Sequence, residues 1–259
     1  MKTFSNILVE DAHVGTNSSG TVPGQTGVRL LKIGDFYQSA VRLIDGKPNP
    51  LAAPVFRYVR CFDLLMAYRP DAKKYLYLGM GGGVNASRAE AAMQGSEVHA
   101  VEISPEVASI AVESFGLDPD KVHIHVQDAE SWLESSDIKF DCICVDIFGD
   151  EESTTPSEEF LTLLSGSLVD DGVIAVNMIG PLAGEGSAAS WDFISGYKKL
   201  FANVDVYPVS NEIGPVDLTE PLLNYELFVS DGTLEIERSL LIDHATDPTL
   251  RRIFRDKWR

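Results

Sequence analysis

A glycine-rich turn is the part of this sequence best suited to binding a small molecule. Gly79, Gly81 and Gly83 follow the apolar run Tyr75 to Leu78 and precede a helix-like segment. Glycine lets the backbone turn sharply and approach a ligand closely, and the helix that follows aims free amide groups at it. The spacing is G-x-G-x-G, which differs from the dinucleotide fingerprint because the sixth position falls on Val84, and the Gly-Lys-Ser/Thr of a P-loop is missing. A strand, a glycine turn and a helix in this order predict a site for a nucleoside-containing ligand.

Acidic residues close the next three predicted strands. Glu102 lies about 20 residues beyond the glycine turn, where a carboxylate can accept hydrogen bonds from both ribose hydroxyls of a nucleoside. Asp128 ends the following strand and could accept the adenine amino group beside the amide of Ala129, and Asp146 ends the strand after that. Each acid alone is more often a helix cap or a solvated loop residue. Because ligands of open α/β sheets bind outside the carboxyl ends of the strands, three consecutive strand ends favour one shared site.

Short apolar runs alternate with helix-like segments from Tyr75 onward, which predicts an α/β fold with a mostly parallel sheet. The predicted strands are Tyr75 to Leu78, Val98 to Glu102, Val122 to Val126, Phe140 to Val145, Val173 to Met178, Val204 to Tyr207 and Tyr225 to Val229. Gly214, Pro215 and Pro221 separate the last two strands, which we expect to pair antiparallel.

The segments before and between these strands carry their own signals. Val28 to Ile33 and Phe36 to Leu43 predict a β-hairpin, and a helix is expected from about Ala53 to Tyr68. Ser104, followed by proline, predicts a helix start. The run from Thr155 to Glu158 reads as a capping box at the head of a helix that extends to about Leu168.

Composition excludes several classes of protein. The chain has 259 residues, with 21 basic and 39 acidic side chains and a net charge of −18, so it lacks the basic field of a nucleic-acid binder. Cys61, Cys142 and Cys144 have no metal-ligand spacing and are expected to be small buried hydrophobes. No apolar stretch approaches the 18 residues of a membrane span, and no leader pattern opens the sequence. We therefore predict a cytoplasmic protein without a nucleic-acid, membrane or metal partner.

The chain resembles the spermidine synthase superfamily, and in particular its spermidine-synthase-like members. The matching motifs are Leu78-Gly-Met-Gly-Gly-Gly83, Val101-Glu-Ile-Ser-Pro-Glu-Val107, Gln127-Asp-Ala129, Val145-Asp146 and Gly34-Asp-Phe-Tyr-Gln38. The resemblance implies a Rossmann-like class I methyltransferase fold, a mostly parallel seven-stranded sheet whose last strand is antiparallel. It also implies a small N-terminal β element, residues 1–50, before a transferase domain, residues 51–259.

The same resemblance assigns roles to residues. Glu102 would bind ribose, Asp128 adenine and Gln38 the nucleoside, and Asp146 would orient and deprotonate the attacking amine. The rest of the predicted nucleoside site is Gly79, Gly81, Gly83, Ile103 and Ala129. The implied co-substrate is S-adenosylmethionine or its decarboxylated form, without a metal. The implied partners are a small acceptor such as a polyamine, and a second copy of the chain in a homodimer.

Three departures from the family bear on the acceptor half of the site. Val84 replaces an aspartate that grips the aminopropyl amine, Gly149 replaces a second aspartate, and Arg57-Tyr58-Val59-Arg60 lacks the family's tyrosine motif. An aspartate would repel the carboxylate of S-adenosylmethionine, so Val84 favours that ordinary cofactor. The six acids between Asp146 and Glu159 would attract an amine at the pocket mouth, although acids in a first helical turn have a structural reason as well.

Three functional hypotheses follow. The leading one is a transferase that moves a methyl or aminopropyl group to a small, amine-containing acceptor. The second is a non-catalytic nucleoside-binding protein that kept the pocket and lost the polyamine site. The third, a nicotinamide-dependent oxidoreductase, is disfavoured by the glycine spacing.

Overall fold

A computed structural model describes residues 6–12, 25–147, 156–209 and 216–236, which form two β-sheets and seven helices. The smaller sheet is antiparallel and contains β1 (Ile7–Ala12), β2 (Gln25–Ile33), β3 (Phe36–Ile44) and β4 (Lys47–Asn49), in that order. The larger sheet contains β5 (Lys74–Leu78), β6 (Glu97–Glu102), β7 (Val122–Val126), β8 (Phe140–Val145), β9 (Leu168–Ile179), β10 (Asn203–Val209) and β11 (Asn224–Ser230). The helices are α1 (Arg57–Cys61), α2 (Leu64–Tyr68), α3 (Val84–Ala92), α4 (Pro105–Phe115), α5 (Ala129–Ser135), α6 (Glu158–Gly166) and α7 (Ser187–Leu200). No helix among these residues is long and apolar enough to cross a membrane.

The larger sheet has the predicted Rossmann-like arrangement. Its strand order is β10-β11-β9-β8-β5-β6-β7. The pairs from β9 to β7 are parallel, and β11 runs antiparallel to both β9 and β10. The strand order reverses at β5, which pairs with β6 on one side and β8 on the other. Open α/β sheets form their ligand crevice at such a switch point.

Both faces of the central strands β5, β6, β8 and β11 are buried, as their near-continuous apolar sequences predict. Cys61, Cys142 and Cys144 are buried free thiols, which confirms their prediction as core residues. Phe193 and Tyr197 of α7 are also fully buried and pack on the opposite face of the sheet.

The predicted hairpin is confirmed, and the N-terminal sheet to which it belongs lies against the glycine turn. The hydroxyl Oγ of Ser39 accepts a hydrogen bond of 3.0 Å from the amide of Gly82. Leu31 and Val41 pack in one apolar cluster with Val84 and other residues that lie outside the N-terminal sheet. This packing brings β3, and with it the predicted site residue Gln38, to the switch point.

The helix predicted from about Ala53 to Tyr68 is wrong in its extent. The structure has two short helices, α1 and α2, separated at Phe62 and Asp63, where backbone bonds reach back three residues rather than four. The Asp63 carboxylate accepts a 3.2 Å hydrogen bond from Nε of Arg88 on α3. This tertiary contact accompanies the tightened turn, a feature that hydrophobic periodicity does not report.

The helix predicted from Thr155 also needs correction. The N-cap is Ser157, whose Oγ accepts a 3.0 Å hydrogen bond from the amide of Phe160. The helix ends at Gly166, so Leu168 opens β9 rather than closing α6. Thr155 lies outside the described residues, as do Gly149 and the acids at 150–152. The Ser104 cap is confirmed, because its Oγ accepts a hydrogen bond from the amide of Val107.

Candidate functional site

A cavity of about 480 Å³ lies at the switch point, outside the carboxyl ends of β5, β6, β7 and β8. Its walls include the predicted site residues Gln38, Gly79, Gly81, Glu102, Ile103, Asp128, Ala129 and Asp146. They also include residues for which the sequence predicted no role in the site, among them Ser39, Tyr58, Tyr77, Met80 and Asn85. The volume is in the range of sites for small organic ligands.

The glycine turn shapes one wall because its backbone adopts conformations that side chains resist. Gly79, Gly81 and Gly83 all have positive φ, at 83°, 50° and 70°. An added Cβ at Gly79 would lie 2.2 Å from the carbonyl oxygen of Asp146. Gly83 is not part of the wall; it caps α3, and a Cβ there would lie 2.9 Å from Leu117. The turn therefore needs glycine both for its dihedral angles and for its close approach to β8.

Glu102 ties the turn to the end of β6. Its Oε2 accepts hydrogen bonds of 3.3 Å from the amides of Met80 and Gly81, and its Oε1 accepts one of 3.0 Å from Ser104. The side chain is 7% exposed. Burial raises the pKa of Glu102, and the backbone donors oppose that shift by favouring the carboxylate. The arrangement holds one carboxylate, oriented by amides, at the floor of the cavity.

Asp128 is exposed at the cavity rim and caps α5. Its Oδ1 accepts a 3.1 Å hydrogen bond from the amide of Ser131. Ala129 is the first residue of that helix, so its amide belongs to the set that lacks a partner within the helix. Asp128 therefore caps a helix, as a single acid at a strand end commonly does, and it also lines the cavity wall.

Asp146 follows β8 directly and is partly exposed to the cavity. Its Oδ1 accepts a 2.9 Å hydrogen bond from Nδ2 of Asn177 on β9. Burial raises the pKa of Asp146 to about 6, and the bond from Asn177 opposes the shift. A carboxylate with this pKa is ionised at neutral pH and is still basic enough to accept a proton.

Two buried polar residues behind Asp146 were missed. Asn177 and Glu226 are opposite each other on β9 and β11. The Oδ1 of Asn177 and both carboxyl oxygens of Glu226 are buried without a hydrogen-bond partner among the described residues. A polar residue inside an otherwise apolar strand, as in Val-Asn-Met and Tyr-Glu-Leu, is the sequence signal that could have revealed them.

The burial of Glu226 predicts an unusual dependence of stability on pH. Its side chain is 0% exposed, and burial together with the charge of Asp146 raises its pKa well above the ordinary value. The folded state therefore binds a proton that the unfolded state releases above about pH 4.3, so stability falls as pH rises from there. We expect Glu226→Gln to raise the free energy of unfolding by about 1–3 kcal/mol at pH 8 and to change it little at pH 4. Urea unfolding at both pH values measures this.

The matched control for Glu226 is Glu134→Gln, because Glu134 is exposed on α5. This variant should change stability by less than about 0.5 kcal/mol at either pH. Equal stability of Glu226→Gln and the wild type at pH 8 would mean that the buried carboxyl has a partner that offsets its burial.

The chain is similar in sequence to known proteins and in fold to several solved structures. No family model matches the chain. A probable polyamine aminopropyl transferase from Bifidobacterium longum is 33% identical over 125 residues, which cover 47% of this chain and 27% of that protein. The chain thus spans well under half of this relative.

Two solved structures share the fold. A probable spermidine synthase from Corynebacterium glutamicum superposes with a TM-score of 0.71 at 20% identity, covering 98% of this chain and 85% of that one. Human methyltransferase-like protein 13 in complex with SAH gives a TM-score of 0.59 at 19% identity, covering 77% of this chain and 92% of that one. These superpositions confirm the predicted methyltransferase-like fold. The resemblance in sequence to the spermidine synthase superfamily is supported by the similarity to the aminopropyl transferase.

Proposed function

We propose that this protein is a spermidine-synthase-like transferase that binds S-adenosylmethionine or its decarboxylated form and passes a methyl or aminopropyl group to a small, amine-containing acceptor. The observation that carries the proposal is the convergence of the glycine turn, Glu102, Asp128 and Asp146 on one cavity. The similarity to an aminopropyl transferase and to spermidine synthase and methyltransferase folds supports it.

The nucleoside half of the ligand fits the walls of the cavity. Glu102 would accept hydrogen bonds from ribose hydroxyls, since its 3.3 Å bonds to the turn are long enough to yield to stronger donors. Asp128 would accept from the adenine amino group, with the Ala129 amide donating beside it. Ile103 would contact the adenine ring, and Gln38 would close the site from the N-terminal sheet.

The chemistry requires little more than positioning. An amine nitrogen of the acceptor attacks the carbon bonded to the sulfonium sulfur, the new N–C bond forms as the C–S bond breaks, and sulfur leaves as a neutral thioether. Asp146 orients the amine and takes its proton. Asn177, through its bond to Oδ1, keeps the carboxylate facing the cavity.

Val84 provides a test of cofactor choice. It is the first residue of α3, is 5% exposed and lines the cavity. We expect Val84→Asp to shift the affinity ratio toward the decarboxylated cofactor by about tenfold, because the new charge attracts an ammonium and repels a carboxylate. Competition calorimetry with the two cofactors measures the ratio. Val84→Asn is the control of equal shape, and the charge argument fails if both variants shift the ratio equally.

A second candidate is a non-catalytic nucleoside-binding protein. The apolar Val84 at the cavity wall favours it, since Val84 brings no charge to the position where the family's aspartate grips the aminopropyl amine. Binding of a nucleoside without turnover of any amine acceptor would distinguish it from the transferase. The two-domain division, the homodimer, the cytoplasmic location and the absence of nucleic-acid and membrane partners stay predictions from the sequence.

The experiment that tests the proposal compares four nucleosides by thermal shift and calorimetry: S-adenosylmethionine, its decarboxylated form, methylthioadenosine and S-adenosylhomocysteine, each with and without putrescine or spermidine. Ligand-linked stabilisation reports affinity for the folded state. Preference for the decarboxylated form and methylthioadenosine, strengthened by a polyamine, means aminopropyl transfer. Preference for S-adenosylmethionine and S-adenosylhomocysteine means methyl transfer. Failure of all four to bind would overturn the proposal.

A further inference from the structure

Three histidines and a glutamate gather on β6 and β7, away from the cavity. This histidine–glutamate cluster consists of Glu97, His99, His123 and His125, and it holds three of the five histidines in the chain. His99 pairs with His123 in the parallel register, so their side chains share one face of the sheet. Their ring centroids are 4.7 Å apart. None of the four residues lines the cavity of the proposed function.

The ligand atoms of three members already lie close together. One atom each from Glu97, His99 and His123 lies within 4.8 Å of the others. Zinc bonds to imidazole nitrogen and carboxylate oxygen are about 2.0–2.2 Å long, so its tetrahedral ligands stand a little over 3 Å apart. The strands fix the three backbones, so rotation of the side chains would have to close the remaining distance.

His99 contacts two other members of the cluster through its ring nitrogens. Its Nε2 is 2.7 Å from Oε1 of Glu97, and its Nδ1 is 3.0 Å from Nε2 of His125. A neutral imidazole has one N–H and one lone pair, so each nitrogen of His99 either donates or accepts. With the proton on Nε2, His99 donates to Glu97. With the proton on Nδ1, it donates to His125, and its Nε2 lone pair then faces the Glu97 carboxylate, where a cation would bind both acceptors.

Packing alone does not account for the cluster. His99 is 4% exposed and lies 5.4 Å from the ring of Phe140, so an aromatic contact explains its burial. His123 is exposed at the sheet edge, and Glu97 is half-buried with an ion pair of 3.1 Å to Lys74. A core contact gives no reason for these two residues to present ligand atoms to His99.

We propose that Glu97, His99 and His123 form a binding site for a divalent transition metal, with zinc as the best match to two imidazoles and one carboxylate. Water completes the coordination, and His125 accepts the Nδ1–H of His99, as outer partners of metal-bound histidines commonly do. The ion would fasten the edge strand β7 to β6, the strands that lead to Asp128 and Glu102. The sequence predicted no metal, because the ligands come together only through the pairing of two strands.

Metal titration of the untagged full chain tests the site, using Zn²⁺ alone in calorimetry and Co²⁺ alone in visible absorption. We expect one ion per chain with a Kd below about 10 µM and, at hundredfold excess over Kd, a rise in Tm of about 5–10 °C. His123→Ala and Glu97→Gln should each weaken binding at least about 100-fold, because each removes a direct ligand. His123 and Glu97 are not core residues, so circular dichroism should show both variants folded.

Two controls separate this site from adventitious binding. Lys121→Ala changes an exposed residue just before β7, and Glu90→Gln removes an acid on α3. Both should bind Zn²⁺ as the wild type does. A wild-type Kd weaker than about 100 µM, or equal affinity in His123→Ala and the wild type, would overturn the proposal. Neither result depends on nucleoside binding or transfer.

Discussion

Asp146→Asn is expected to lower the rate of group transfer by about 10²–10⁴-fold and to leave nucleoside affinity within a few fold. Asparagine keeps the shape of the side chain and can still accept the hydrogen bond from Asn177, which measures 2.9 Å in the present structure. It cannot take the proton that the attacking amine must lose. Turnover with the acceptor identified by the binding comparison gives the rate, and calorimetry gives the affinity.

The pH dependence of transfer should report the same carboxylate. Because burial raises the pKa of Asp146 to about 6, the free enzyme loses its base as pH falls through that value, and kcat/KM should fall with it. Asn177→Ala removes the bond that favours the charged form, so the midpoint should move to higher pH. A rate that is flat from pH 5 to 8, or full activity in Asp146→Asn, would contradict the assigned role.

The same variant has a stability readout that needs no acceptor. The raised pKa means that the folded state holds the Asp146 proton more tightly than the unfolded state, so ionisation above about pH 4 destabilises the fold. Asp146→Asn should therefore raise the free energy of unfolding by up to about 2 kcal/mol at pH 8, the value being reduced because the cavity admits some solvent. A variant that is more stable and inactive separates loss of chemistry from loss of fold.

The sequence predicted the residues at the strand ends well because they follow from a local rule. A parallel strand has its carboxyl end at one edge of the sheet, so Glu102, Asp128 and Asp146 could be brought together from strand positions alone. All three line the cavity. The strands themselves were recognisable as apolar runs between helical segments.

What the sequence did not predict depends on which strands become neighbours and in what register. Asn177 lies opposite Glu226 because β11 inserts between β9 and β10, and His99 lies opposite His123 because β6 pairs with β7. Nothing in the local pattern of either strand specifies these partners. The tightened turn at Asp63 likewise involves a contact with a distant helix.

Gly79→Ala is expected to be the most destabilising single substitution at the site, at about 3–5 kcal/mol, and to abolish nucleoside binding. Gly79 has φ of 83°, and an added Cβ would lie 2.2 Å from the carbonyl oxygen of Asp146 and 2.8 Å from its carbonyl carbon. Both neighbours are backbone atoms in a close-packed sheet, so the end of β8 must move for the methyl group to fit. That movement displaces Asp146 as well as the glycine turn.

Gly95→Ala is the control that isolates this steric effect. Gly95 has φ of 79°, close to that of Gly79, but an added Cβ meets nothing within 4 Å. Its substitution should destabilise by about 1–2 kcal/mol, the strain of a left-handed backbone alone, and leave nucleoside affinity unchanged. Urea unfolding and calorimetry on the two variants give the difference. Equal effects at the two positions would mean that β8 yields easily at Asp146, and the rigid placement of that carboxylate, on which the proposed chemistry rests, would have to be abandoned.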